Sequence, residues 1–303
     1  MFTLVQRIFT LTISICLWLM LFSVGLRYFL SDWSGQVSKE RAADKPSASA
    51  VSAVSRLSKF PALQKYCESL RSIPSGTFQM GGTQFDSEKP VHSVTLSAFR
   101  IGATPVTVAV WKEYCRAVNL KMPIAPERGW KDDHPIVNVS WEDIMGSDGN
   151  GGFCAWASRV AGFSLTLPTE AQFEYASRGG QAGLDYPWGN SFDDSKLWCS
   201  SLTARSETAP VDRKSHIFRN KFGLSDMSGN VLQWCSDLYG PYSGSAQNDP
   251  TGPSSTSNNE RCVRGGPRFM AGLKRWRCAF RHQFYQDMSY PLEIGFRLSA
   301  GPD

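Results

Sequence analysis

Three sulfur-bearing side chains stand in one short stretch, CVRGGPRFMAGLKRWRCAFRH over residues 262–282: Cys262, Met270 and Cys278. Soft sulfur ligands of this kind select copper(I) when they converge on one point. Cys262 and Cys278 are sixteen positions apart on segments that read as strands, so packing or bridging is expected of them and copper is not. Counted from Arg261, the same stretch carries seven cations, Arg261, Arg264, Arg268, Lys274, Arg275, Arg277 and Arg281, and no Asp or Glu. Phe269, Trp276 and Phe280 alternate with these cations. Guanidinium groups beside aromatic rings favour acidic or aromatic partners, through two-pronged pairing and stacking.

Other chemistries lack their signatures. The chain has eight cysteines but no C-x-x-C, which removes zinc-ribbon and thioredoxin-type readings. The four histidines, His92, His134, His216 and His282, are scattered with no H-x-x-x-H spacing, so no helix-borne iron site is expected. No G-x-S-x-G offers a nucleophile elbow. The segment MGSDGNGG around Asp148 and Asn150 lacks the closing Glu of an EF-hand loop and reads as a surface insertion.

The elements that position these residues follow from pattern. Residues 8–26, IFTLTISICLWLMLFSVGL, form an uncharged, mostly apolar run between Arg7 and Arg27. At about 1.5 Å per residue it nearly spans a hydrocarbon core of roughly 30 Å. No A-x-A cleavage site follows, so residues 1–30 are expected to be an uncleaved signal-anchor, with the rest of the chain outside the cytoplasm in a periplasm-like space. Residues 31–60 are rich in Ser, Ala and charge and are expected to be a flexible linker. Residues 61–303 are expected to form one domain. FPALQKYCESL, TPVTVAVWKEYCRAV, FCAWASRVAG and LPTEAQFEYASRGG read as helices, the third closed by Gly162, the last capped by Thr169 and stopped at Gly179. GTFQMGG and VHSVTLSAFRIGAT alternate like half-buried strands. Helical periodicity vanishes beyond Gly180, which makes the class α+β with a loop-rich C-terminal half.

Nine segments in order carry a resemblance: GTFQMGG, HPIVNVSWEDI, FSLTLPTEAQFEYASRGG, YPWGN, TAPVD, FGLSDMSGNVLQWCSDLY, RCVRGGPRF, RWRCAFR and IGFRLSA. Together they resemble the sulfatase-modifying family of formylglycine-generating enzymes, over about residues 72–300. The resemblance implies a variant of the C-type lectin fold stabilised by calcium, and an oxidase that uses copper, oxygen and a cysteine pair on its last strands. In that pattern the double glycine leads through Ser and an aromatic residue to the first cysteine, and the second lies five residues on. Here Gly265 and Gly266 lead into Pro267, Arg268, Phe269 and Met270, and neither thiol of the pair is present. Cys278 and Cys154 match structural disulfide cysteines of the family, whose partners fall at Ser177 and Leu298 respectively. For the cysteines that remain, Cys199 with Cys235 and Cys262 with Cys278 are candidate pairs that connectivity alone does not decide; all five are expected to be structural. One calcium is expected near Asn230, in the segment SGNVLQW. At the other family site Lys196 stands where an oxygen ligand belongs.

These readings lead to an expected function: an extracytoplasmic, membrane-anchored regulator without oxidase activity, binding a protein or peptide in the old substrate groove. Arg268, Phe269, Lys274, Arg275 and Trp276 are expected to contact that partner, with Trp234 on the groove floor. Nucleic acid is not expected in that compartment. Relatives without the cysteine pair include a periplasmic protein of a kinase-controlled type six secretion pathway, and the resemblance extends to that role. The alternative is a divergent metal-dependent oxidase acting on a cysteine or another thiol.

Overall fold

The computed structural model describes residues 55–199, 207–214, 217–266, 272–289 and 293–302. The expected anchor and most of the expected linker lie outside the described residues. The order of elements is α1 (Pro61–Glu68), β1 (Arg71–Ile73), β2 (Gly76–Met80), β3 (His92–Leu96), β4 (Phe99–Ile101), α2 (Val108–Val118), α3 (Trp141–Met145), α4 (Gly152–Ala161) and α5 (Glu170–Ser177). Then come β5 (Leu232–Leu238), β6 (Gln247–Asn248), β7 (Glu260–Arg264), β8 (His282–Tyr285), β9 (Ile294–Gly295) and β10 (Ser299–Ala300). The architecture is α+β, as the patterning predicts.

Helix ends fall where side chains satisfy backbone groups that the helix leaves unpaired. Thr169 accepts from Gln172 N while Gln172 returns a bond to Thr169 N, a reciprocal box that starts α5. Ser140 and Asp143 do the same for α3. Gly162 closes α4 in the left-handed region at φ 82°, where a Cβ would be strained. The linker ends sooner than its composition suggests. Leu57 and Phe60 already pack on the core, Phe60 edge-on to Trp156 at 5.2 Å.

Three small sheets share the domain, in the orders β1-β4-β10, β2-β3-β6 and β8-β7-β5-β9. In the third, β5 and β7 are antiparallel with Trp234 opposite Val263 and Gln233 opposite Arg264, and the register then shifts before Leu238. One face of this pair buries Trp234 and Val263 against α2 and α4. The other buries Cys235 and Cys262 against α5 and the β2–β3 hairpin. Successive strand residues point to opposite faces, so the two helical layers sandwich this sheet.

Candidate functional site: a basic and aromatic surface turn

Of the seven cations, three are built into the interior. Arg281 grips Glu170 with two bonds of 2.7 Å, donates to Gly240 O at 2.9 Å and lies over the Tyr242 ring at 4.0 Å. Arg264, fully buried, donates to the carbonyls of Ala279 and Phe280 and pairs with Glu174. Arg277 pairs with buried Glu88 and donates to Lys274 O. Arg178 adds a fourth guanidinium, held by Glu174 at 2.7 Å. Burying so many charges is tolerable because each is paired and hydrogen-bonded. Burial pushes the Glu170 carboxyl up, but Arg281 and Arg264 outweigh it and hold the group below its ordinary range. Asp237 lacks such a grip: burial and the Glu170 charge push it up to about 7. Arg261 is half-buried, stacked 3.6 Å from the Trp141 ring centre and bonded to Gln286.

Lys274 and Arg275 have a different fate. They ride a short helical turn, Leu273–Trp276, entered through Gly272 at φ 116°. Lys274 is exposed and Arg275 half-buried, while Leu273 beside them is 47% exposed. Trp276 is not a contact residue. Only 1% of it is exposed, because it stacks on Phe192 at 5.5 Å and anchors the turn to Tyr186, Leu197 and Cys199. Trp234 is likewise no groove floor: it is fully buried and its Nε1 donates to Val139 O at 3.0 Å. Both tryptophans face the interior because their partners come from distant segments. Arg268 and Phe269 lie outside the described residues, as does Met270.

The structure brings three rings to this turn that the charge pattern did not single out. Phe192, half-buried, covers Trp276, and Trp188 stacks on Tyr186 at 5.3 Å. Trp188 meets Phe218 edge-on at 6.1 Å, and the Lys196 ammonium sits 5.4 Å over the Phe218 ring. Lys196, Phe218 and Trp188 thus form a cluster that reaches the turn through Tyr186, whose hydroxyl donates to Leu273 O at 3.3 Å, while Phe192 meets the turn directly at Trp276. The signal for it was present in YPWGNSF, a segment whose aromatics serve no helix or strand.

All seven cysteines outside the N-terminal run are free thiols. The two candidate pairs are therefore corrected. Cys199 packs beside Trp276, whereas Cys235 faces α5 in another cluster. Cys262 donates to Glu170 Oε2 at 3.3 Å, and Cys278 meets Ser177 Oγ at 3.2 Å. That second contact joins the two positions that the family resemblance linked by a disulfide. Burial pushes the Cys278 thiol up to about 11 and raises Cys235 and Cys262 well above their ordinary range, which makes them poor nucleophiles. As copper donors they do not fit: Cys262 has the Arg281 guanidinium at 3.7 Å, and Cys278 is engaged elsewhere with Ser177. Among the described residues no cluster of three His, Cys, Asp or Glu is arranged to hold a metal.

Asn230 does not suit calcium in this arrangement. Its Oδ1 accepts from Ala209 N at 2.9 Å, and its Nδ2 donates to Ala209 O and Asp226 Oδ2. Asp226 in turn is clasped by Arg213 at 2.6 Å, so the carboxylate nearest the Asn230 amide is already paired with a cation. At the second family position, Lys196 lies 3.4 Å from Asp193.

Comparison with known proteins gives the same frame. The family model described as sulfatase-modifying factor enzyme 1-like domain matches residues 58–300. A formylglycine-generating enzyme of Streptomyces coelicolor is 29% identical, over 76% of this chain and 88% of that protein. A mouse protein named inactive C-alpha-formylglycine-generating enzyme 2 is 28% identical, over 55% of this chain and 68% of its own. The serine/threonine-protein kinase pkn1 of Chlamydia caviae is 33% identical over 76% of this chain, which matches 37% of the kinase. Among solved structures, Treponema denticola variable protein 1 superposes with a TM-score of 0.63 at 21% identity, over 77% of this chain and 95% of that one. With the match covering the whole described domain, the chain belongs to the sulfatase-modifying factor enzyme 1-like family.

Proposed function

We propose that this protein is a non-catalytic binding and regulatory member of its family, anchored to a membrane by its N-terminal run with the domain outside the cytoplasm. Its partner is a protein or peptide carrying acidic and aromatic side chains, and it docks on the surface turn at Lys274 and Arg275. One observation carries the reading. Cys262 and Cys278 are buried, burial keeps their thiols protonated, and each is engaged by a different partner, while the turn that follows the Gly265–Gly266 pair presents Lys274 and Arg275 beside the Phe192 ring. A surface of that kind offers charge pairing and stacking to an acidic partner, and the fold class alone does not dictate chemistry. The relative named as an inactive enzyme supports loss of the oxidase reaction, and the match to part of a protein kinase supports a kinase-linked regulatory role. Under this reading, control of a type six secretion apparatus is the pathway assignment.

The test has two arms. The full chain, supplied with copper and oxygen, is incubated with a C-x-P-x-R peptide and the peptide mass is followed. The expected result is an unchanged cysteine; conversion to formylglycine would establish the divergent-oxidase reading instead. In the second arm, crosslinking in the native membrane is compared between the wild-type chain and the Arg275→Glu variant. A crosslinked partner that disappears with the variant supports the docking surface, and one retained at full yield overturns it.

A further inference from the structure

A cavity of about 220 Å³ opens on the far side of the buried arginine lattice, between β2, β3, the start of α5 and the loop after β5. By the volume of liquid water it would hold about seven molecules. Met80, Ala171 and three prolines, Pro241, Pro250 and Pro253, give it apolar walls. Its polar side is unusual in kind. Arg281, the cation facing it, is taken up by Glu170 through both prongs. Tyr242 directs its hydroxyl to Glu170 as well. The Asp237 carboxyl accepts from Glu170 N and Ser236 Oγ through Oδ2, and it receives no comparable two-pronged grip.

His92 supplies a second, independent observation. It is 3% exposed and forms part of the cavity wall. Its Nδ1 faces Pro90 O at 3.0 Å, so that nitrogen carries the proton and donates. Nε2 is left with a lone pair, and it has no partner in the protein. A buried acceptor without a donor is costly, and such groups in native proteins call for an explanation. His92 Nε2 thus adds an unpaired acceptor to a wall that also holds Asp237, a carboxyl whose neighbouring guanidinium of Arg281 is engaged by Glu170.

We propose that this cavity binds a small organic ammonium ion, whose N–H groups donate to Asp237 and to His92 Nε2 while its alkyl part lies against Met80 and the prolines. A cation is favoured over a neutral hydroxyl because Asp237 and Glu170 are adjacent acids, and the arginines beside them, Arg281 and Arg264, are held by Glu170 and Glu174 and not by Asp237. The raised proton affinity of Asp237 agrees with an acid that still lacks a counter-charge. The site is separate from the surface turn and stands or falls independently of the docking proposal.

The probe is n-propylammonium chloride, titrated into the full chain by calorimetry or ligand-observed NMR, with 1-propanol and sodium propionate as matched controls. Saturable binding of the ammonium is expected, with 1-propanol weaker by about tenfold or more. Asp237→Asn and His92→Phe should each weaken the ammonium by about tenfold, with folding checked by circular dichroism. If His92→Phe does not fold, Asp237→Asn decides alone, and Lys112→Ala, on α2 and outside the cavity lining, is the comparison that should leave affinity within about twofold. Three results overturn the proposal: no saturable binding of the ammonium, equal or better binding of propanol or propionate, or unchanged affinity in Asp237→Asn.

Discussion

Arg281 and Arg275 are six residues apart in one strongly basic stretch, yet one is locked inside the domain and the other stands at its surface. The difference is made by what the rest of the chain brings to each. Glu170, at the start of α5, and the carbonyl of Gly240 converge on Arg281. For Arg275 the backbone forms a tight turn whose interior place is already filled by Trp276. In this family frame, a run of cations is thus two populations: one holds loops together through buried carboxylates, and one faces outward. Function belongs to the second, and substitutions that separate the two are the way to break or sharpen the distinction.

The largest effect is expected inside. Arg281→Met leaves Glu170 buried beside Asp237 without its main counter-charge. Removing one partner of a buried pair costs about 3–5 kcal/mol, a large part of the roughly 5–15 kcal/mol that keeps a domain folded. Urea denaturation should show the midpoint falling accordingly. A midpoint within error of the wild type would mean that the lattice is not what holds α5 to the last strands.

The next effect has the opposite sign. Ser177 and Cys278 touch at 3.2 Å across 101 residues of chain. Ser177→Cys should oxidise to a disulfide that ties the C-terminal end of α5 to the segment just beyond the surface turn. Such a link typically adds about 2–4 kcal/mol by restricting the unfolded chain. The gain should vanish with reductant, while the docking behaviour of Lys274 and Arg275 stays unchanged. Loss of partner binding in the oxidised variant would show that the turn must move to work.

The paired acids give a smaller effect, read through pH. Asp237 has a folded value near 7 against an ordinary 3.8, so between those limits the folded protein holds more protons than the unfolded chain. Stability at this group is therefore lost as pH rises from about 4 to about 7. Glu170 works the other way: held below its ordinary 4.5, it stabilises above that pH and is lost on acidification. Asp237→Asn should flatten the upper limb and leave the acid limb in place, a contrast that melting temperatures from pH 4 to 8 would reveal.

Much of this arrangement was legible beforehand, and the reasons are local. Thr169 with Gln172, Gly162 and the alternation of β2 and β3 act within a few residues, so their spacing carries the information. Arg277 and Arg281 belong to RWRCAFR, a segment of the family frame, but the buried Glu88 and Glu170 that hold them come from far along the chain. Trp276 was not legible as interior. An indole flanked by Arg275 and Arg277 reads as a surface ring, and the residues that bury it, Tyr186, Phe192, Leu197 and Cys199, come from a segment far earlier in the chain. Cysteine pairing failed for the same reason: Cys199 and Cys235 are close in sequence but lie in different clusters. Asn230 looked like an oxygen ligand until Ala209, twenty-one residues upstream, claimed its amide.

The smallest expected change in stability lies at the turn, and it is the most informative about function. Lys274→Glu and Arg275→Glu reverse two charges on a surface where substitutions usually shift stability by no more than about 0.5 kcal/mol. Trp276 holds the turn from beneath, so the backbone should stay in place and thermal melts should nearly overlay. Association with an acidic partner should slow markedly, because exposed charges act mainly on the rate of encounter, and the difference should shrink as salt is raised. A variant that binds at the wild-type rate in low salt would place recognition elsewhere on the domain. A variant that unfolds would mean that Arg275 belongs with Arg281 after all, as part of the interior lattice.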